Sequence, residues 1–273
     1  MITTRFAPAP TGHLHLGHVV NALYVWETAR REGGRVLLRI EDHDRQRSRP
    51  EYEASILEDL AWLGFTADGP PVRQSDRTHI YDRALGRLRE AGLVYACECS
   101  RRDIVDAGRS GAELRYPGTC SSKGLAETRD RAIRVRLPPS EEAFDDLLVG
   151  RQRQIPSDQC GDLLVRDRHG NWTYQFAVTA DDHDQSVDLV IRGLDLLQST
   201  GRQIQLARML GRAEPPRFMH HPLVMSTPAQ KLSKSHGATG IRQMRAAGLG
   251  PDDVVAAALA AVKLPTSKLQ NSN

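Results

Sequence analysis

The chain has 273 residues, 40% of them hydrophobic and 26% charged, with a formal net charge of +3. This is globular composition, long enough for two domains, and its mild basicity permits a nucleic-acid partner without arguing for one. No apolar run approaches the ~20 residues that span a bilayer, and Met1-Ile2-Thr3-Thr4-Arg5 lacks an apolar leader, so a cytoplasmic protein without a membrane partner is expected.

Residues 2–7 read as a short strand. A Pro/Gly-rich turn leads into a helix from Leu16 to Arg31, with Val19, Val20, Leu23 and Trp26 on one face and Gly33-Gly34 as its stop. Val36–Ile40 reads as a buried strand ending at Glu41-Asp42. Strand, helix and strand in so short a span form a βαβ unit, which predicts an α/β fold with a doubly wound, Rossmann-like parallel sheet. Sites in such sheets lie at the C-terminal ends of strands, where the histidine segment and Glu41 fall.

Amphipathic helices are expected at 50–64, through Ile56, Leu57, Leu60 and Leu63, and at 77–91. Near Val94 the character changes to Arg, Ser, Gly and Cys, and an inserted module is expected over 95–171, with strand-like runs at Ala132–Leu137 and Asp162–Arg166. The sheet pattern resumes at Trp172–Thr179 and Val187–Ile191, and a helix is expected over Thr200–Leu210. The expected domains are thus a discontinuous catalytic domain (1–94 and 172–230), the 95–171 module, and a 231–273 segment with a short helix at Asp252–Val262.

Two segments carry the chemistry. His15 and His18 stand three apart at a helix start, where unpaired N–H groups and about half a positive charge favour anions. Gly12 and Gly17 allow close approach to the backbone. Lys231 and Lys234, also three apart, offer mobile point charges suited to phosphates that move during reaction. Taken singly, each segment reads more readily as a surface helix with histidines or an exposed basic loop; the two together in this order point to a triphosphate. Cys97, Cys99 and Cys120 cluster in the inserted module, and in a reducing compartment three such thiols suggest a metal more than disulfides. Cys160 stands apart as a lone thiol.

On these residues the chain resembles the class I aminoacyl-tRNA synthetases. His15-Leu16-Gly17-His18 is similar to their first signature, and Lys231-Leu232-Ser233-Lys234-Ser235 to their second, with Leu232 in place of methionine. Arg5-Phe6-Ala7-Pro8, Arg39-Ile40-Glu41-Asp42 and Val190-Ile191-Arg192-Gly193 resemble the glutamyl branch. The resemblance implies adenylation of an amino acid by ATP with Mg²⁺. His15, Gly17, His18 and Lys234, with Lys231 assisting, would bind ATP and stabilise the phosphates. Arg5, Ala7, Ala9, Glu41, Tyr174 and Arg192 would bind glutamate: arginines for carboxylates, Glu41 for the ammonium, Tyr174 as a pocket wall. It also implies one structural zinc on Cys97, Cys99, Tyr116 and Cys120.

One departure stands out: Ala9 occupies a position that is usually serine in the branch, so a hydrogen bond to the amino acid is lost. Only residues 236–273 follow the second signature, too few for an anticodon-reading domain. That shortness, and Arg192-Gly193-Leu194-Asp195-Leu196-Leu197 running on to Arg202-Gln203, resemble a short subfamily of the branch. Its members activate glutamate without tRNA and attach it to the wobble base queuosine of tRNA(Asp), so the expected partners are ATP, glutamate and that anticodon stem-loop, with the protein a monomer. The alternatives are a truncated synthetase charging a tRNA 3′ end, a small-molecule nucleotidyltransferase sharing the histidine signature, or a non-catalytic tRNA-binding protein.

Overall fold

The computed structural model describes residues 1–44, 47–107, 113–227, 230–231 and 240–262. The chain divides into two compact units, one of Met1–Asp76, Val187–Leu197 and Arg217–Asn273, the other of Arg77–Ser186 and Gln198–Pro216.

The first unit is built on parallel strands. Thr3–Phe6 pairs with Arg35–Ile40, which pairs with the short Val72–Arg73 strand. Leu189–Gly193 lies on the other side of Thr3–Phe6. The Asp188 N–H donates to the Thr3 carbonyl at 2.8 Å, and the Asp188 carboxylate accepts the Thr3 N–H at 2.8 Å, setting the entry of that strand. Arg217–His221 pairs in parallel beyond it. The expected βαβ unit is therefore present, with the helix Leu16–Arg31 as its crossover. That helix buries Val19, Val20, Ala22, Val25 and Ala29, and it ends where Gly33 takes a left-handed φ of 59° that a side chain would resist. Helix Pro251–Ala261 packs against it, contributing Val254 and Ala258 to the same core as Phe6, Ile40 and Ile191.

The second unit has its own core. Strands Val94–Cys97, Ala132–Val135 and Leu163–Arg166 form an antiparallel sheet, and Glu142–Asp146 and Gly150–Gln154 form a hairpin. Helices Thr78–Glu90, Tyr174–Asp184 and Thr200–Met209 bury Tyr81, Leu85, Phe176 and Leu206 against Ile133 and Val165 of the sheet.

One expected strand is a helix. Trp172–Thr179 is rich in aromatic and β-branched residues, which favours a strand, yet the chain is helical from Tyr174 to Asp184. Residues Phe176 to Asp182 are all buried, so no amphipathic period exists to read. Tertiary contacts decide instead: Arg77 pairs with Asp181 at 2.6 Å and the Tyr81 hydroxyl donates to the same buried carboxylate at 2.9 Å. The strand Arg217–His221 and the helix Ile241–Ala246 were not anticipated by periodicity. Among the described residues, no helix is long and apolar enough to cross a membrane.

Candidate functional site

The parallel strands of the first unit end at Phe6, Ile40 and Gly193, and the segments that leave those ends carry the candidate residues. After Phe6 the chain bends through Pro10–Gly12 and reaches His15, which is the N-cap of the helix, with φ −135° and ψ 174°. The His15 Nδ1 accepts the Gly17 N–H at 3.1 Å, and the His18 Nδ1 accepts the His15 N–H at 3.1 Å. Their ring centroids lie 3.9 Å apart. A neutral imidazole that accepts at Nδ1 carries its proton on Nε2. The backbone thus sets both rings as Nε2–H donors. Gly17 is required because a β-carbon there would lie 2.9 Å from the His15 ring.

The chain beyond the second signature meets the first signature through backbone. Lys231 closes a short antiparallel pair with Met225. Lys234 lies outside the described residues, but just beyond that segment Gly240 forms a β-bridge with His15, and the Ile241 N–H donates to the Leu14 carbonyl at 2.9 Å. The chain after the lysine motif is thereby sewn to the histidine segment.

Arg5 is buried and donates to the Ile191 carbonyl at 3.3 Å, directly beside Arg192. Arg192 is also buried, and its Nε donates to the His220 Nε2 at 3.0 Å. Glu41 is buried, and its N–H donates to the Pro8 carbonyl at 3.0 Å, which ties the acidic residue to the Ala7–Ala9 turn. Ala7 and Ala9 are half-buried. Tyr174 belongs to the second unit, half-buried at the start of its helix, and lines a cavity of about 750 Å³ with Gln175, Arg101, Arg168 and Arg202. Arg202 is clamped there by two 2.6 Å hydrogen bonds to Glu113.

The thiol cluster is also in the second unit. The Cys97, Cys99 and Cys120 sulfurs lie within 4.8 Å of one another, with Cys99 and Cys120 3.5 Å apart. Sulfurs around one tetrahedral metal are separated by about 3.8 Å, so the three can hold a metal. The Tyr116 hydroxyl lies 3.5 Å from the Cys97 sulfur and accepts the Cys120 N–H at 2.8 Å. Burial, then the hydrogen bond and charge of the neighbouring thiols, pushes Cys99 up to about 12. For Cys120 burial acts upward too, but hydrogen bonds from the Glu98 backbone, Cys99 and Tyr116 outweigh it and hold the thiol below its ordinary value. Arg134 was missed in the sequence. It donates to the Cys97 sulfur at 3.4 Å and stacks 3.7 Å above the Tyr116 ring, a buried cation beside the thiols. Cys160 is outside the cluster, donating to the Pro156 and Gly161 carbonyls at 3.3 Å.

A parallel α/β sheet with a histidine-capped helix at its C-terminal edge, joined by backbone to the chain that follows a second signature, is the catalytic fold of the class I synthetases. The family described as class I tRNA synthetases (E and Q), catalytic domain, matches residues 1–264, and the chain belongs to it. A curated relative from Burkholderia mallei, a glutamyl-Q tRNA(Asp) synthetase, is 46% identical over 87% of this chain and 82% of its own length. One of the same name from Rhodobacter capsulatus is 41% identical over 92% and 97%. Among solved structures, a glutamate tRNA ligase from Elizabethkingia meningosepticum is 31% identical with a TM-score of 0.75, covering 86% of this chain. The chain spans about half the length of that ligase (52%).

Proposed function

We propose that this protein is an ATP-dependent ligase that activates glutamate as glutamyl-adenylate without tRNA and transfers it to the queuosine base of tRNA(Asp). The observation that carries the reading is the 46% identity to a glutamyl-Q tRNA(Asp) synthetase over most of both chains. In the first step the α-carboxylate of glutamate attacks the α-phosphorus of ATP and pyrophosphate leaves. No protein nucleophile is needed, so catalysis consists of positioning and of stabilising developing phosphate charge. His15 and His18 are suited to this because their Nδ1 atoms are engaged by backbone N–H groups, which leaves the proton of each neutral ring on Nε2 as a donor. Lys234, with Lys231, takes the charge of the leaving pyrophosphate, and Mg²⁺ accompanies ATP as its counter-ion. Arg5 and Arg192 hold the two carboxylates and Glu41 the ammonium; the resemblance adds Tyr174 as a further glutamate-binding residue. In the second step an acceptor hydroxyl attacks the activated carbonyl, an ester forms and AMP leaves.

The second compact unit is proposed to carry one structural zinc on Cys97, Cys99, Cys120 and Tyr116. Purified protein is expected to contain one equivalent of zinc. Sub-stoichiometric metal that refolding with zinc does not restore would remove the site.

Ala9→Ser is expected to lower the glutamate KM a few-fold to about tenfold, the effect of one added hydrogen bond. Ala9 follows Pro8, whose carbonyl accepts the Glu41 N–H, so the substitution falls one residue from the backbone that holds Glu41. An unchanged KM would exclude Ala9 from glutamate contact.

The function itself is tested in two parts. ATP–pyrophosphate exchange without tRNA is expected with glutamate and not with glutamine or aspartate; failure with every amino acid would favour a small-molecule nucleotidyltransferase. Labelled glutamate is then expected on aspartate tRNA only when that tRNA carries queuosine. Labelling of a 3′ end, or of tRNA lacking queuosine, would return the protein to ordinary charging.

A further inference from the structure

Arg192 and His220 are register partners on adjacent parallel strands, so their side chains leave the same face of the sheet. The Arg192 Nε donates to the His220 Nε2 at 3.0 Å. Arg192 is 3% exposed and His220 1% exposed, so the bond is shielded from water. Phe218, two residues earlier on the same strand, stacks on the His220 ring at 6.2 Å between centroids and an interplanar angle of 15°. The Arg192 guanidinium carbon lies 5.6 Å from the Phe218 ring centroid. The guanidinium is therefore gripped at its Nε edge by the imidazole and backed by an aromatic face.

We propose that His220 is a positioning residue for the amino-acid substrate: by accepting from the Arg192 Nε it sets the plane of the guanidinium and aims its Nη edge at a carboxylate. The proposal rests on the reading of Arg192 as a glutamate ligand. An arginine recognises a carboxylate through two parallel N–H bonds only when its plane is correctly turned. A guanidinium can rotate about its last side-chain bonds, and here the imidazole nitrogen stops that rotation. The role requires an acceptor at the Nε2 position, which a histidine supplies with its proton on Nδ1. His220 touches no reacting atom in this scheme.

The test is glutamate-dependent pyrophosphate exchange by the full chain. His220→Gln keeps an acceptor near the Nε2 position, and its glutamate KM is expected within a few-fold of the parent. His220→Asn is polar but too short to reach Arg192, and His220→Leu has no acceptor. For both, the glutamate KM is expected to rise roughly 10- to 100-fold, the effect of losing a hydrogen bond to a charged group, while the ATP KM and kcat change little. Equal KM values for the Gln and Asn variants would overturn the proposal, and so would an equal rise in the ATP KM. Should the Leu variant not fold, the Gln and Asn pair decides alone. Arg192→Gln separates the two layers. If it raises the glutamate KM and His220→Asn does not, only the positioning role fails; if it leaves the KM unchanged, the reading of Arg192 fails and the proposal with it.

Discussion

Gly161→Ala is expected to destabilise the second compact unit by more than about 3 kcal/mol and to spread the thiol cluster, lowering the zinc content proposed for it. Gly161 has φ 66° and ψ −156°, a region open essentially to glycine alone. That strain alone costs about 1–3 kcal/mol for any other residue. The steric problem is worse: a β-carbon there would stand 2.0 Å from the Tyr116 carbonyl oxygen and 3.2 Å from its nitrogen. This is a backbone-to-backbone approach that no rotamer can relieve. The same contact seats the Tyr116 loop, since the Tyr116 N–H donates to the Cys160 carbonyl at 2.9 Å. Tyr116 in turn receives the Cys120 N–H and touches Cys97. Pushing Tyr116 away therefore spreads the thiols. Thermal unfolding and zinc content measured together check this; an alanine variant with full zinc and an unchanged midpoint would refute the argument.

The second large effect concerns Asp59. Its carboxylate is fully buried on helix Pro50–Trp62, and neither oxygen has a hydrogen-bond partner of good geometry. Burial, reinforced by the charge of Glu58, pushes its pKa up to about 6, although Arg242, Arg245 and Ser55 act in the opposite direction. In the unfolded chain an aspartate ionises near 3.9. The folded protein therefore keeps a proton that the unfolded chain has lost between those values, and stability falls as pH rises from about 4 to about 6. Above that window the penalty is complete, on the order of 2–3 kcal/mol. Asp59→Asn removes the ionisation while keeping the shape. It is expected to raise stability at pH 7–8 by about that amount and to flatten the decline between pH 4 and 6, as read by urea unfolding across pH. Parallel curves for the two proteins would refute the assignment. The position has a functional bearing. Ser55, one turn earlier, bonds His13 at 2.9 Å, and Arg245 pairs with the neighbouring Glu58 at 2.8 Å. Asp59 thus lies where the histidine segment and the helix after the lysine motif converge.

The local elements of the first unit were legible because each obeys a local rule. The helix Leu16–Arg31 begins at the residue where the Pro/Gly stretch ends and stops at the glycine pair, and Arg35–Ile40 is a short apolar run bounded by Gly and Glu-Asp. The helix Tyr174–Asp184 was not legible, because a helix buried on every side shows no period and its β-branched residues favour a strand. His220 was not legible for a different reason. Its partner Arg192 lies 28 residues away, and only the parallel register of two strands brings them opposite each other. Arg134 is hidden in the same way: one arginine among many, given meaning by a fold that lays it on Tyr116 and Cys97.

By itself the sequence determined which chemistry is on offer, because motif residues are adjacent in the chain. Two imidazoles at a helix start, two lysines in a small-residue loop, and a Cys-Glu-Cys run carry their spacing with them. The tertiary structure alone decided how those groups are held. Backbone N–H groups choose the histidine tautomers, a β-bridge joins Gly240, beyond the second signature, to His15, a glycine too tight for any side chain seats the Tyr116 loop, and His220 turns Arg192. The physical reason is that orientation comes from contacts between residues distant in sequence, and these exist only once the core has packed.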